Sequence, residues 1–134
     1  MDVWTNKVSI YDARDERSAM ANKLWSGGYE NPKYYLNCEI KFNDIPNIHC
    51  VRDSYKGLIN ICLNFCSLMH NLTPENELKL NTRYFSDIES TRWLQNIYLI
   101  LIASDKIAKE LTNENESERR NVLVHCSDGW DRTS

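Results

Sequence analysis

The sequence has no long apolar run and no excess of positive charge. None of its apolar stretches approaches the roughly 18–20 residues that a membrane-spanning helix needs. The first seven residues, Met1–Lys7, lack the apolar core of a secretory signal peptide. The net charge of -3 disfavours a general nucleic-acid-binding or anionic-membrane surface, since either needs a basic excess. A site for an anionic ligand must therefore be positive locally.

The chain also lacks the paired cysteines of a secreted, disulfide-bonded protein. Its five cysteines are odd in number and follow no framework spacing. We therefore expect a reducing, cytoplasmic compartment, which a reactive thiol would also require. Cys62, Cys66 and His70 recur at four-residue steps, but no second pair has zinc spacing. Packing of both cysteines in the core is favoured, and we expect no metal and no cofactor.

The 134 residues suffice for one domain, and no internal repeat is present. Apolar periodicity predicts mixed strands and helices, and hence an α/β protein. Residues 71–83 are polar and include Pro74, which predicts a connector. Acidic residues within 85–89 predict the start of the longest helix. This helix is expected to pack on the sheet through one stripe, made of Trp93, Ile97, Ile100, Leu101, Ser104, Ala108 and Leu111. The predicted strands are Val8–Tyr11, Leu36–Phe42 and Val122–Val124. The predicted helices are Ser18–Trp25, Ser54–Met69 and one that begins within 85–89 and continues to Leu111.

The segment after the last predicted strand carries the chemistry. Five residues separate Cys126 from Arg132, with Gly129 in the middle. A tight loop here can turn its backbone N–H groups inward and form a nest for an anion. Arg132 supplies a planar fork of donors for two phosphate oxygens, and the same field favours thiolate over thiol at Cys126. Such a thiolate is a nucleophile at phosphorus, as in a cysteine-dependent phosphatase.

The neighbours of this pair suggest further roles. The leaving oxygen needs a proton, for which Asp131 is the preferred donor and Asp128 the alternative, or the base that activates water. Thr133 is placed to hydrogen-bond the departing thiolate, and His125 is expected to orient the loop. Trp130 either contacts the ligand or the membrane interface, or packs against the protein.

Three other interpretations stay open from the residues alone. Cys126 can be a buried core cysteine and Arg132 a surface charge, because Cys-x5-Arg also occurs by chance. Arg14, after the first predicted strand, is either a phosphate or carboxylate contact or a solvated charge in a turn. Asn22, among good helix formers, is either a side chain with a specific contact or a solvent-facing residue.

The residues around Cys126 resemble the signature of the myotubularin phosphatases. The string runs from His125 to Thr133 as His-Cys-Ser-Asp-Gly-Trp-Asp-Arg-Thr. Further similarity, in order along nearly the whole chain, is found at Ile10–Arg14, Ala21–Lys23, Gly27–Glu30, Asn47–His49 and Glu89–Leu94.

This resemblance implies removal of the 3-phosphate from phosphatidylinositol 3-phosphate and phosphatidylinositol 3,5-bisphosphate. It implies a protein-tyrosine-phosphatase-like fold, a central sheet flanked by helices. It also implies an enzyme that is peripheral on endosomal-type membranes, with homo- or hetero-oligomers among the expected partners and no nucleic acid. The implied substrate-binding residues are Asn22, Asn47, Ser127, Gly129 and Trp130.

The chain stops at Ser134, two residues after Arg132. We therefore expect residues 1–134 to be a partial myotubularin-type phosphatase domain, incomplete at both ends, and weakly active or inactive when isolated. A protein-tyrosine or dual-specificity phosphatase with the same loop chemistry remains an alternative. So does a non-catalytic adaptor, as some relatives in the family are.

Overall fold

The structure, a computed structural model, describes residues 7–23, 27–31, 33–69, 74–115 and 118–134. These residues belong to two compact units, which are Met1–Asn47 with Tyr98–Ser134 (unit 1) and Ile48–Ile97 (unit 2). The elements in chain order are β1 (Val8–Asp12), α1 (Glu16–Lys23), β2 (Cys38–Phe42), α2 (Ile48–Met69), α3 (Pro74–Ser90), α4 (Trp93–Leu111) and β3 (Asn121–His125).

Unit 1 contains a three-stranded parallel sheet in the order β2-β1-β3. The register pairs Asp12, at the end of β1, with Phe42 of β2 and with His125 of β3. All three strands therefore end at the same edge of the sheet. Because β2 and β3 flank β1 on opposite sides, this edge is a topological switch point, where open α/β sheets bind their ligands.

The central strand is the most buried part of unit 1. Ser9, Ile10, Tyr11 and Asp12 are all at most 3% exposed. The three predicted strands and the α/β class are confirmed, with β2 beginning two residues later than predicted. The tyrosine-phosphatase-like arrangement stays a prediction.

Helix α1 begins where Asp15 caps it. The carboxylate of Asp15 accepts hydrogen bonds from the backbone N–H of Ser18 at 2.8 Å and from its hydroxyl at 2.5 Å. The backbone bond satisfies one of the free N–H groups of the first helical turn. The hydroxyl bond from Ser18 is the main cause that lowers the pKa of Asp15. The predicted helix is thus confirmed through Lys23, while residues 24–26 lie outside the described residues.

In unit 2, the predicted connector is wrong for residues 74–83, which are helical, while residues 71–73 lie outside the described part of the chain. Pro74 is the first residue of α3, the one helical position that proline favours. The predicted helix start at 85–89 is wrong too, because these residues end α3. Arg92, with φ of 59°, interrupts the helical conformation between α3 and α4. Helix α4 was predicted to be the longest helix, but it has 19 residues and α2 has 22.

The predicted core position of Cys66 is wrong, because this side chain is exposed. Cys62 is half-buried, with its sulfur 3.5 Å from the Tyr84 hydroxyl, and Phe65 stacks on the same tyrosine ring at 4.0 Å. A step of four residues turns about 40° around a helix, so Cys66 lies off the line of these contacts. His70 lies outside the described residues.

Helix α4 buries other residues than the predicted stripe. Leu101 and Leu111 are 63% and 52% exposed, whereas Asn96 and Ala103 are under 10%. Within unit 2, Asn96 donates a hydrogen bond to the Ser54 hydroxyl at 2.9 Å, which satisfies a buried amide. A prediction from apolar periodicity relies on large apolar side chains. It therefore missed the small Ala103 and the polar, hydrogen-bonded Asn96 as the buried residues of α4. Among the described residues, no helix has the length and apolar character needed to cross a bilayer.

Candidate active site

The loop that follows β3 holds Cys126 at the carboxyl edge of the sheet. Cys126 is 5% exposed and shares a small core with Ala13, Ile45 and Ala103. The backbone N–H of Gly129 donates to its sulfur at 3.3 Å. Gly129 has φ of 80°, and a Cβ there would meet no atom within 4 Å. The glycine is therefore required by the left-handed conformation of the loop and not by lack of space.

The loop lowers the pKa of Cys126 to about 7. Burial acts in the opposite direction, because it disfavours the charged thiolate. The Thr133 hydroxyl near the thiol opposes burial, as do the backbone N–H groups of Gly129, Asp128 and Thr133, and all of them lower the pKa of Cys126. These donors outweigh burial, so a large fraction of Cys126 is thiolate at neutral pH.

Replacing Thr133 with valine should raise the pKa of Cys126, because the substitution keeps the shape and removes the hydroxyl donor. A hydrogen bond of about 1 kcal/mol corresponds to somewhat less than one pKa unit, so we expect a rise of roughly half a unit to one unit. The pH dependence of iodoacetamide alkylation at Cys126, followed by peptide mass spectrometry, measures it. Thr112→Val is the matched control, since that hydroxyl donates to the carbonyl of Ala108 in the last turn of α4. An unchanged midpoint in Thr133→Val would refute the role of the hydroxyl.

Arg132 is fixed by the segment after β2. Its Nε donates to the carbonyl oxygen of Ile45 at 2.8 Å, and its side chain is 12% exposed. One terminal nitrogen lies 3.8 Å from Oδ2 of Asp131. Because Nε donates to this carbonyl, the two terminal nitrogens of Arg132 remain to bind a phosphate.

The two candidate acids differ in their surroundings. The Asp131 side chain is 17% exposed, whereas Asp128 is exposed. Trp130, between Asp131 and Gly129, is 69% exposed and does not pack in the core. The packing interpretation for Trp130 is therefore wrong, because the loop turns its indole outward.

The structure brings Asn22 to the loop. Its side-chain amide donates to the Ser127 hydroxyl oxygen at 2.9 Å, across 105 residues of sequence. The interpretation of Asn22 as a merely solvent-facing residue is thus wrong. Asn47 lies two residues after Ile45, whose carbonyl holds Arg132, and directly before α2.

His125 contacts the loop backbone. Its Nδ1 lies 2.9 Å from the carbonyl oxygen of Cys126, and its Nε2 lies 3.1 Å from Oε2 of Glu30. These contacts tie the loop to the turn that precedes β2. They support the orienting role predicted for His125.

The sequence did not reveal how deeply Arg14 is buried. Arg14 is 2% exposed and pairs with Asp12, so the solvated-charge interpretation is wrong and the carboxylate contact is confirmed. The available signal was an Asp-x-Arg pair directly after the first predicted strand. The described residues contain no group of three or more histidine, cysteine or carboxylate side chains placed to hold a metal ion.

The edge of the sheet thus carries a loop whose N–H groups lower the pKa of a buried thiol. Comparison with known proteins matches residues 2–134 to the family model described as "Myotubularin-like phosphatase domain". The chain belongs to this family.

Curated relatives show the same similarity. Myotubularin of Xenopus laevis is 42% identical over 130 residues, which are 97% of this chain and 19% of that protein. The phosphatidylinositol-3,5-bisphosphate 3-phosphatases MTMR3 of Caenorhabditis elegans and MTMR4 of Homo sapiens are each 39% identical. The matches cover 93% and 95% of this chain, and 11% and 9% of those proteins. The chain therefore spans a fifth or less of the length of these relatives.

Proposed function

We propose that the protein removes the 3-phosphate from phosphatidylinositol 3-phosphate and phosphatidylinositol 3,5-bisphosphate through a phosphocysteine intermediate. The observation that carries the proposal is the buried Cys126, held by loop N–H groups and Thr133 that lower its pKa to about 7. Relatives named phosphatidylinositol-3,5-bisphosphate 3-phosphatase support the substrate class.

In the first step, the thiolate of Cys126 attacks phosphorus in line with the leaving oxygen. The S–P bond forms as the P–O bond to the inositol ring breaks. The equatorial oxygens, where negative charge spreads in the transition state, are held by the loop N–H groups and the terminal nitrogens of Arg132. The Nε bond to Ile45 sets the plane of the guanidinium before substrate arrives, so this stabilisation needs little reorganisation.

The leaving oxygen takes a proton from Asp131. This carboxyl is shielded from solvent and lies in the loop beside Arg132, whereas exposed Asp128 is the alternative donor or the base for the second step. Water then attacks the phosphocysteine, the S–P bond breaks, and the Cys126 thiolate departs toward the Thr133 hydroxyl. The attacking water transfers one proton to the Asp131 carboxylate, which regenerates the acid, and inorganic phosphate leaves.

The inositol head group is contacted by residues around the mouth of the loop. Ser127, which Asn22 already contacts, and the Gly129 backbone lie on the loop, and Asn47 lies near the carbonyl that holds Arg132. The exposed indole of Trp130 is suited to flank the inositol ring or to enter the membrane interface.

Phosphate release from a panel of substrates tests this function. We expect phosphate release from vesicles that contain phosphatidylinositol 3-phosphate or phosphatidylinositol 3,5-bisphosphate. This rate should be at least about tenfold higher than the rate with phosphatidylinositol 4-phosphate or a phosphotyrosine peptide, because a wrong substrate leaves the donors of the head-group site unpaired. Preference for the phosphotyrosine peptide would instead indicate a protein phosphatase with the same loop chemistry.

We also propose that the protein acts in the cytoplasm, peripherally on endosomal-type membranes. A reactive thiol requires a reducing compartment, and a lipid substrate requires a bilayer surface. Fluorescence imaging of the tagged full-length protein against endosomal markers tests this location. Uniform exclusion from those membranes would contradict it.

A further inference from the structure

A buried ion pair lies at the end of the central strand, behind the loop. Arg14 and Asp12 are 2% and 0% exposed. One terminal nitrogen of Arg14 lies 2.6 Å from Oδ2 of Asp12, and Nε lies 2.9 Å from Oδ1, so the two planar groups bond side by side. Moving two charges out of water is costly, and such a pair is weak support for stability by itself. Its other contacts show what else the pair does.

The remaining donors of Arg14 reach two other segments. The same terminal nitrogen that bonds Asp12 also donates to the carbonyl of Gly28 at 2.7 Å. The second terminal nitrogen donates to the Ser127 hydroxyl oxygen at 3.4 Å. One side chain thus connects β1, the turn after α1 and the phosphate-binding loop.

The Ser127 hydroxyl is held from two sides. Its oxygen accepts hydrogen bonds from Asn22 at 2.9 Å and from Arg14 at 3.4 Å. A hydroxyl oxygen has two acceptor sites and one proton to donate. With both acceptor sites used by the protein, the hydroxyl proton is directed away from these two donors and is available to a ligand.

We propose that Arg14, held by Asp12, is a positioning residue for catalysis that fixes the Ser127 hydroxyl and places a permanent positive charge behind Cys126. This inference rests on the proposed function, in which the loop binds the transferred phosphate. Arg14 does not touch the reacting atoms and acts through Ser127 and through its charge.

The electrostatics of Arg14 support this assignment. Its hydrogen bonds to Asp12 are the main cause that raises the pKa of Arg14, and the neighbouring charge of Cys126 adds to the rise. Arg14 therefore stays charged. The attraction is mutual, so the guanidinium also favours the Cys126 thiolate. The other ionisable groups around the thiol are Arg132, Asp131 and Asp128 on the loop, and the His125–Glu30 pair beside it.

Two substitutions separate the two roles. Arg14→Lys keeps the charge but lacks the planar fork, so it cannot bond Asp12, Gly28 and Ser127 together. We expect kcat/KM for phosphoinositide to fall about 10- to 100-fold, as small misplacement of catalytic groups does, with the alkylation midpoint of Cys126 nearly unchanged. Arg14→Met removes the charge as well, and we expect the midpoint to rise and kcat to fall further.

The control is Arg17→Met in the full-length protein. Arg17 is an exposed arginine three residues away on α1, and its loss should change neither the midpoint nor the turnover. A cooperatively melting Arg14→Met protein with wild-type midpoint and kcat would overturn the proposal.

A double-mutant cycle keeps the proposal testable if Arg14→Met does not fold. When Arg14 acts through Ser127, the losses from Arg14→Lys and Ser127→Ala are less than additive, whereas fully additive losses would refute the coupling. The alkylation readout uses no lipid. If the wild-type protein hydrolyses no phosphoinositide yet Arg14→Met shifts the midpoint, the proposed function fails and the electrostatic role of Arg14 stands.

Discussion

Replacing Cys126 with serine should abolish phosphate release while the protein still binds vesicles that contain phosphatidylinositol 3,5-bisphosphate. The surrounding donors bring the thiol to a pKa of about 7, but a serine hydroxyl at the same place remains protonated and is a poor nucleophile. We expect turnover to fall by at least about 10⁴-fold, as when a covalent nucleophile is removed from comparable hydrolases. Phosphate release and vesicle co-sedimentation measure the two quantities on the same preparation.

Cys66→Ser is the matched control, because Cys66 is exposed on α2 in unit 2. Its turnover and its binding should equal those of the unchanged protein. If Cys126→Ser retained more than a few per cent of the wild-type turnover, another group would have to be the nucleophile. Loss of binding together with turnover, in a protein that still melts cooperatively, would show instead that the thiolate contributes to substrate affinity.

Replacing Asp131 with asparagine should slow phosphoinositide hydrolysis by about 10²- to 10⁴-fold, the usual contribution of a general acid. The inositol oxygen is a poor leaving group and needs a proton, whereas a nitrophenolate departs without one. The same variant should therefore lose much less activity toward p-nitrophenyl phosphate than toward phosphoinositide. Measuring kcat on both substrates separates a missing proton donor from a damaged loop.

Asp128→Asn serves as the comparison, because it removes the exposed carboxylate of the same loop. If Asp131 is the acid, the Asp128 variant should show similar changes on both substrates. A selective loss on phosphoinositide in Asp128→Asn, and not in Asp131→Asn, would reverse the two assignments. Equal losses on the two substrates in Asp131→Asn would point to a structural effect through Arg132, which lies 3.8 Å away.

The local chemistry of the site could be predicted from the sequence because its parts are contiguous. The spacing of Cys126, Gly129 and Arg132 leads directly to a nest of N–H groups after a strand, and the structure has Gly129 at φ of 80° with its N–H on the Cys126 sulfur. The three strands could also be predicted from the sequence, since their apolar runs are short and bounded by polar residues.

Contacts between distant segments could not be read from the sequence. Arg14 and Ser127 lie 113 residues apart, and Arg132 and Ile45 lie 87 apart. Only the alignment of three strand ends at one edge brings these pairs together. The carbonyl of Ile45 also carries no side-chain signal at all, because a backbone group is present at every position.

The predicted boundaries of α3 and α4 were wrong for a local reason. A proline and a polar segment typically indicate a connector, but Pro74 occupies the first turn of α3, where its missing N–H costs nothing. The break between α3 and α4 depends on a left-handed Arg92 and on the Thr91 hydroxyl, which donates to Ile88 at 2.6 Å and accepts from the Trp93 N–H at 3.2 Å. Neither residue type marks a helix end by itself.

The claim that Cys126 becomes covalently phosphorylated during turnover is tested most directly by trapping the intermediate. Full-length protein is mixed with vesicles containing phosphatidylinositol 3,5-bisphosphate, quenched in acid within milliseconds, and digested for peptide mass spectrometry. We expect a phosphoryl group on the peptide that contains Cys126, and we expect none without substrate or in Cys126→Ser. Steady phosphate release with an unmodified Cys126, or with the phosphoryl group on another residue, would contradict it.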